Sequence, residues 1–137
     1  MNVGFVSCSK TKQTGEHAAR DLYVSPLFKF AWGYASSHCD QVFILSAKHG
    51  VLRPTDPVSD YDVTLNDLSR EERARWAREV ITKIRRVIRV GDKLHFYCGK
   101  LYREDVILPL RTHHECTVPL EGLSFGRQLR WYKERSV

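Results

Sequence analysis

Residues 3–12 read VGFVSCSKTK, and residues 42–50 read VFILSAKHG. In both stretches an apolar run of strand length ends at small residues that carry hydroxyl groups, and a lysine follows. Open α/β sheets hold their ligands at the carboxyl ends of strands, where such polar groups lie. We therefore expect Lys10, Lys48 and His49 to face one crevice. A cluster of this kind favours an anionic ligand that carries phosphate.

Strand-like and helix-like segments alternate along the chain, which predicts an α/β protein with a mainly parallel sheet and helices on both faces. The length of 137 residues is typical of one domain, and no repeat or long linker interrupts it, so we expect a single domain over 1–137. Residues 51–68 form one long irregular connection, and loops of that length are often functional. The predicted strands are 3–8, 42–46, 94–98 and 115–118. The predicted helices are 24–37, 70–89, 102–111 and 124–134.

The apolar stretches are too short to cross a bilayer, and the amino terminus lacks a signal-peptide pattern. Both observations indicate a cytoplasmic protein without a membrane partner. The four cysteines contain no C-x-x-C pair, so reduced thiols are expected and a zinc site is not. No motif demands a metal ion or an organic cofactor.

A strongly basic segment accounts for most of the net charge of +6, because residues 70–89 carry eight basic and three acidic residues. A capping box and apolar residues at helical spacing predict an amphipathic helix with a basic outer face. Beside an anion-binding crevice, that face favours a nucleic-acid partner, and DNA is the first hypothesis. Such a partner would be held by phosphate contacts that salt weakens. The alternative is an ordinary solvated helix face. The expected nucleic-acid contacts are Lys12, Arg78, Arg85 and Arg86.

A series of short motifs carries a resemblance to a known family. The motifs include Ser7-Cys8-Ser9-Lys10, Ile44-Leu45-Ser46-Ala47-Lys48-His49-Gly50, Tyr61-Asp62, Tyr97-x-Gly99-x-x-Tyr102 and Gly126-x-Gln128. In their order and spacing they are similar to the YaaA-like superfamily, small and mostly uncharacterised domains related to the peroxide-stress protein YaaA. The resemblance covers nearly the whole chain. It implies DNA binding, a link to oxidative damage, and a nucleic-acid base or nucleotide as ligand.

Cleavage of an N-glycosidic bond needs a base that activates water or a carboxylate that stabilises a cationic sugar. It also needs a donor for the departing nucleobase. Asp62 suits the first role, and His49 or Lys48 the second. A lysine such as Lys10 could instead attack the sugar carbon as a nucleophile. Tyrosines would supply an aromatic wall for an unstacked base, and glycines would allow close backbone approach. The residues expected to bind substrate are Ser7, Cys8, Ser9, Tyr23, Ser46, Tyr61, Tyr97, Gly99, Tyr102, Gly126 and Gln128.

The sequence therefore favours an enzyme that processes a nucleobase, with a DNA glycosylase acting on a modified or damaged base as the first hypothesis. One alternative is a noncatalytic DNA-binding protein of the YaaA-like type, and another is a hydrolase or base-modifying enzyme for free nucleotides. Several of these residues also fit a purely structural role. Gly50 can end a turn with positive φ, and Asp60 and Asp62 can serve as turn or cap residues.

Overall fold

The computed structural model describes residues 1–135 and contains seven strands and five helices within that range. The strands are β1 (Asn2–Ser7), β2 (Glu16–Ala18), β3 (Gln41–Ser46), β4 (Gly50–Leu52), β5 (Pro57–Ser59), β6 (Lys93–Tyr97) and β7 (Cys116–Thr117). The helices are α1 (Ala19–Leu22), α2 (Pro26–His38), α3 (Arg70–Val87), α4 (Lys100–Leu110) and α5 (Phe125–Arg135). These elements confirm the predicted α/β class.

The main sheet has the strand order β4-β3-β1-β6-β7. Strand β1 lies at its centre, and β3 and β6 pair with it in parallel on either side. Only β4, at one edge, runs antiparallel to its neighbour, so the sheet is mainly parallel as predicted. Residues 3–6 of β1 are all buried, because a strand covered on both faces requires a continuous apolar run.

The connections that leave β1 and β6 lead towards opposite edges of the sheet. Strand β1 leads through α2 to β3, whereas β6 leads through α4 to β7. Adjacent strands whose connections diverge in this way open a crevice at their carboxyl ends, and open α/β folds bind ligands there. The ends of β1 and β6 therefore mark the position of the site.

The helices cover both faces of the sheet, with α2 against α5 on one face and α3 against α4 on the other. Ser69 begins α3 through the predicted capping box: its hydroxyl accepts from the Glu72 amide at 3.1 Å, and its own amide donates to the Glu72 carboxylate at 2.9 Å. The buried stripe of α3 consists of Trp76, Ala77, Val80, Ile81 and Ile84. None of the helices within residues 1–135 is long and apolar enough to cross a membrane.

The predicted irregular connection over 51–68 is wrong in part. It contains the end of β4, all of β5 and a 3-10 turn at Leu65–Asp67, and β5 pairs with β2 in a separate two-stranded sheet. Strands of three residues are too short to show an alternating pattern, which is why the sequence does not indicate them. The predicted strand over 115–118 shortens to β7, and α4 begins two residues earlier than expected.

Candidate functional site

The end of β3 is organised by the fully buried side chain of Ser46. Its hydroxyl oxygen accepts from the backbone amides of His49 at 3.1 Å and Lys48 at 3.3 Å. The Ser46 carbonyl accepts from the Trp76 indole of α3 at 2.8 Å. The chain then reverses into β4 at Gly50, whose φ of 74° is the positive value expected from the sequence. This turn holds Lys48 and His49 at the carboxyl edge of the sheet.

A chain of hydroxyl groups leads from Ser46 into the protein. Ser46 lies 2.7 Å from the Tyr61 hydroxyl, and Tyr61 lies 2.6 Å from the Tyr23 hydroxyl. Because two amides occupy the acceptor sites of Ser46, its O–H donates to the Tyr61 oxygen, and the Tyr61 and Tyr23 hydroxyls share a further hydrogen bond. Burial raises the pKa of Tyr61, and burial also raises the pKa of Tyr23 to about 12. Both phenols are therefore neutral near pH 7, and they tie the 51–68 segment to the sheet.

Lys12 lies within this group of residues. Its ammonium nitrogen is 4.3 Å from the centroid of the Tyr61 ring and 5.9 Å from that of Tyr23, and it donates to the Lys10 carbonyl at 3.2 Å. Burial lowers the pKa of Lys12, while the Cys8, Asp62 and Asp60 side chains oppose that change. The sequence predicted Lys12 as a nucleic-acid contact, and the structure places its side chain half-buried against the Tyr61 ring.

Lys48 and His49 also lie near the ring of Tyr61. The Lys48 ammonium is 5.9 Å from the Tyr61 ring centroid, and the His49 ring meets Tyr61 edge to face at 5.4 Å. Burial lowers the pKa of His49, and the charges of Lys48 and Lys83 lower it further. His49 is thus a neutral imidazole near pH 7, able to donate through one ring nitrogen and accept through the other.

An open cleft of about 580 Å³ begins at Asp62, the residue after Tyr61, whereas Lys12, Lys48, His49 and Tyr61 themselves are not among its lining residues. Cys8 and Tyr102 form one wall, and the Cys8 thiol donates to the Tyr102 hydroxyl at 3.3 Å. The exposed side chains of Lys10 and Asp62 line it, so the cleft presents a cation and a carboxylate together. Asp60, by contrast, joins two distant segments: its carboxylate accepts from the Gly15 amide at 2.9 Å, and its own amide donates to the Gly15 carbonyl at 3.1 Å. The other lining residues are Thr64, Asn66 and Asp67.

A second cavity of about 240 Å³ lies behind Cys8 and Tyr102, between the ends of β1 and β6. Ser7 accepts there from the Gly99 amide at 3.3 Å, and Gly99 is the residue that precedes α4. Gln128 of α5 donates to the Leu123 carbonyl at 3.0 Å. The predicted residues that line this cavity are Ser7, Cys8, Ser9, Tyr97, Gly99, Tyr102 and Gln128.

Three predicted substrate contacts lie away from the open cleft. Tyr23 is 1% exposed and lines neither cavity, so its ring has no face free to stack on a base, and Tyr97 is 8% exposed and lines the second cavity but not the open cleft. Of the predicted aromatic wall, Tyr102 lines both cavities, whereas Tyr61 lines neither of them. Gly126 is exposed on α5 with open space around it, and it lies in neither of the two cavities.

The predicted arginines lie on the outer face of α3, and all three are exposed. Trp76 of α3 contacts the cleft residue Tyr102 edge to face at 5.7 Å. Arg78 follows it closely, but Arg85 and Arg86 lie roughly 14 Å further along the helix at 1.5 Å per residue. The structure therefore separates Arg85 and Arg86 from the cleft, because α3 runs away from the carboxyl ends of the strands.

The sequence did not indicate several residues of the site. Thr64 and Asp67 line the cleft from the 3-10 turn, where the Asp67 carboxylate accepts from the Thr64 amide at 2.8 Å. The Thr-x-x-Asp spacing of these two residues is the feature of the sequence that could have indicated this capped turn. All four cysteines are free. Across residues 1–135, no group of three or more His, Cys, Asp or Glu residues is arranged to hold a metal ion.

The sequence is similar to proteins of unknown function. It is 31% identical over 130 residues to the uncharacterized protein YfjM of Bacillus subtilis (strain 168), and the aligned region covers 85% of this chain and 82% of that protein. Residues 3–134 match a family described as a family of unknown function, DUF6884. Because that match spans nearly the whole chain, the protein belongs to the DUF6884 family.

Proposed function

We propose that the protein is a nucleic-acid base-processing enzyme, a DNA glycosylase that hydrolyses the N-glycosidic bond of a modified or damaged base. The observation that carries the proposal is the presence of the Asp62 carboxylate and the Lys10 ammonium on one open cleft. Asp62 directly follows Tyr61, whose ring contacts Lys12 and His49. The cleft volume of about 580 Å³ lies within the usual range for sites that hold one small ligand. The resemblance of the motifs to the YaaA-like superfamily supports a nucleic-acid ligand.

Each residue has a role in this reaction. The Asp62 carboxylate activates water or stabilises the positive charge that develops on the sugar. Neutral His49 donates a hydrogen bond to the departing base, and Lys48 adds a positive charge beside it. Lys10 attracts a phosphate at the mouth of the cleft. Tyr102 supplies a ring face for the extruded base.

The experiment that tests the proposal measures base release by mass from oligonucleotides that carry normal, oxidised, hydroxymethylated or deaminated bases. Wild-type protein should release one class of modified base. Asp62→Asn, Lys48→Ala and His49→Ala should each lower the release rate while the melting temperature stays close to that of wild type, since all three side chains are exposed. Unchanged rates in all three variants would remove the assignment.

A second candidate function is noncatalytic DNA binding. Its supporting observation is that Arg78, Arg85 and Arg86 remain exposed on α3. In that case binding is strongly salt-dependent and persists in a Lys48→Ala, His49→Ala double variant, but weakens when the three arginines become alanine. Binding that does not respond to salt would exclude it. Turnover of free nucleotides, with no effect on oligonucleotides, would instead identify an enzyme for monomeric substrates.

A further inference from the structure

We infer that Lys12 is the nucleophile of this site and forms a covalent imine with the opened sugar. The inference rests on the proposed function and goes beyond it, because hydrolysis by Asp62 and water needs no covalent step. It also differs from the expectation drawn from the sequence, which placed Lys12 among the nucleic-acid contacts and considered Lys10 as the attacking lysine.

The surroundings of Lys12 distinguish it from the other lysines near the cleft. Lys10 and Lys48 are exposed, whereas Lys12 is half-buried. The Tyr61 ring holds its nitrogen at 4.3 Å from the ring centroid, and within residues 1–135 its hydrogen bond is to the Lys10 carbonyl. A side chain held in this way loses less conformational freedom on attack than a solvated lysine does.

The chemical environment of Lys12 also suits a nucleophile. A lysine attacks only as the neutral amine, and burial lowers the pKa of Lys12. Asp62 directly follows Tyr61, whose ring contacts the Lys12 ammonium, and it lines the cleft in which the sugar would lie. A carboxylate beside an amine can relay protons during attack and can stabilise a cationic sugar.

The covalent step balances with water as the only co-reactant. The Lys12 amine bonds to C1′ as the N-glycosidic bond breaks, and the departing base keeps the bonding pair and takes the proton that the amine releases. The bond from C1′ to the ring oxygen then breaks, the ring oxygen takes a proton from solvent, and a protonated imine forms between Lys12 and C1′. Water hydrolyses this imine, which regenerates the amine and leaves a sugar aldehyde.

The structural alternative is that Lys12 only clamps its loop onto Tyr61 through a cation–π contact. Lys12→Arg separates the two roles, because a guanidinium keeps the charge and the contact with the ring but does not form an imine under these conditions. Lys29→Arg and Lys133→Arg are the matched controls, since each makes the same change at an exposed lysine outside the two cavities.

The experiment incubates the full-length protein with a duplex oligonucleotide that contains one abasic site, in the presence of sodium cyanoborohydride. Hydride reduces an imine to a stable amine, and the attached residue is mapped by peptide mass spectrometry. We expect the adduct on Lys12 in wild type, Lys29→Arg and Lys133→Arg. We expect no adduct in Lys12→Arg, whose melting temperature should match that of wild type.

Mapping on wild-type protein keeps the result independent of whether a variant folds. Absence of an adduct, or an adduct on Lys10, Lys48 or the amino terminus in place of Lys12, overturns the inference. Base release without an adduct leaves the glycosylase proposal standing with water as nucleophile. An adduct on Lys12 without release of any base supports the amine chemistry and counts against the glycosylase proposal. Failure of the Lys12 inference and failure of the proposed function therefore give different results.

Discussion

Tyr61 joins more parts of the candidate site than its neighbours do. Its hydroxyl joins Ser46 to Tyr23, its face carries the Lys12 ammonium, and its ring lies against His49. It belongs to the 51–68 segment, so the same side chain that anchors this segment to β3 also positions a lysine and a histidine. Stability and site geometry are coupled at this residue.

Removal of the Tyr61 hydroxyl should therefore destabilise the fold. Tyr61→Phe leaves the hydroxyls of Ser46 and Tyr23 without their shared partner, which costs about 1–2 kcal/mol of unfolding free energy. Urea denaturation measures the change. Tyr34→Phe is the control, because among residues 1–135 the side-chain contacts of Tyr34 are made by its ring. Equal decreases in both variants would contradict the hydroxyl chain.

The pH dependence of Lys12 reactivity follows from its environment. Because its folded pKa lies below the usual 10.5, the neutral amine should become populated at a lower pH than in an ordinary lysine. Formation of the reduced adduct should therefore begin to rise at a lower pH than it does for a solvent-exposed lysine peptide. A profile that matches a solvent-exposed lysine peptide would show that burial does not activate this residue.

His95 provides a separate pH prediction. Its Nε2 donates to the Asn2 side-chain oxygen at 2.9 Å, so its Nδ1 accepts from Thr117 at 2.7 Å in the neutral tautomer. Burial lowers the pKa of His95, and Lys93 lowers it further while Glu115 opposes the change. Below pH 6.5 the unfolded chain then binds the proton more readily than the folded chain does. We expect the unfolding free energy contributed by His95 to be constant above that pH and to fall below it.

A comparison of His95→Gln with wild type isolates this contribution. The variant lacks the titrating group, so its unfolding free energy should decline less between pH 6.5 and pH 5 than that of wild type. Chemical denaturation at a series of pH values measures both slopes. A variant with the same slope as wild type would assign the acid sensitivity to other groups.

At the scale of single elements, α3 shows how much the sequence predicts. The Ser69-x-x-Glu72 capping box and the buried positions from Ala77 to Ile84 follow directly from residue type and spacing. Local rules suffice there because the interactions that start and orient a helix lie within a few residues. Local rules do not predict the three-residue strands β2 and β5, because each is stabilised by a partner far away in sequence.

The cap of α3 should contribute measurably to stability. Ser69→Ala removes the side-chain acceptor of the Glu72 amide, and removal of an N-cap typically costs about 1 kcal/mol. Ser37→Ala in α2 is a suitable control, because Ser37 bonds back to a carbonyl within its own helix and alanine is the better helix former. Thermal unfolding should show a lower melting temperature for the first variant and no decrease for the second.

At the scale of the whole molecule, strand order decides which residues form the site. Adjacent strands β1, β3 and β6 bring together residues from three distant parts of the chain, and the sequence alone does not show that order. The two strand ends that carry hydroxyl residues and lysines are recognisable in the sequence, and β1 and β3 are indeed neighbours. The burial of Lys12, Tyr23 and Tyr97 is not recognisable there, because it depends on where loops and helices pack over the strands.

The separation of the basic face from the cleft leads to a prediction about affinity and turnover. Arg85→Ala combined with Arg86→Ala should weaken oligonucleotide binding and reduce the salt dependence by about one unit of slope for each phosphate that these arginines neutralise. Base release at saturating oligonucleotide should stay unchanged, because both residues lie far from the cleft. Arg127→Ala combined with Arg130→Ala is the control, since it removes the same two charges from the exposed surface of α5. An equal effect on binding from this control would show that net charge alone determines affinity.

The central claim is that the cleft beside Tyr61 and Asp62 cleaves a glycosidic bond. Its most direct measurement is mass-detected base release from the panel of modified oligonucleotides, by wild type and by Asp62→Asn side by side. The account predicts one modified base released by wild type and little or none by the variant at equal folded concentration. Retention of every base by wild type, or equal release by both proteins, would contradict it.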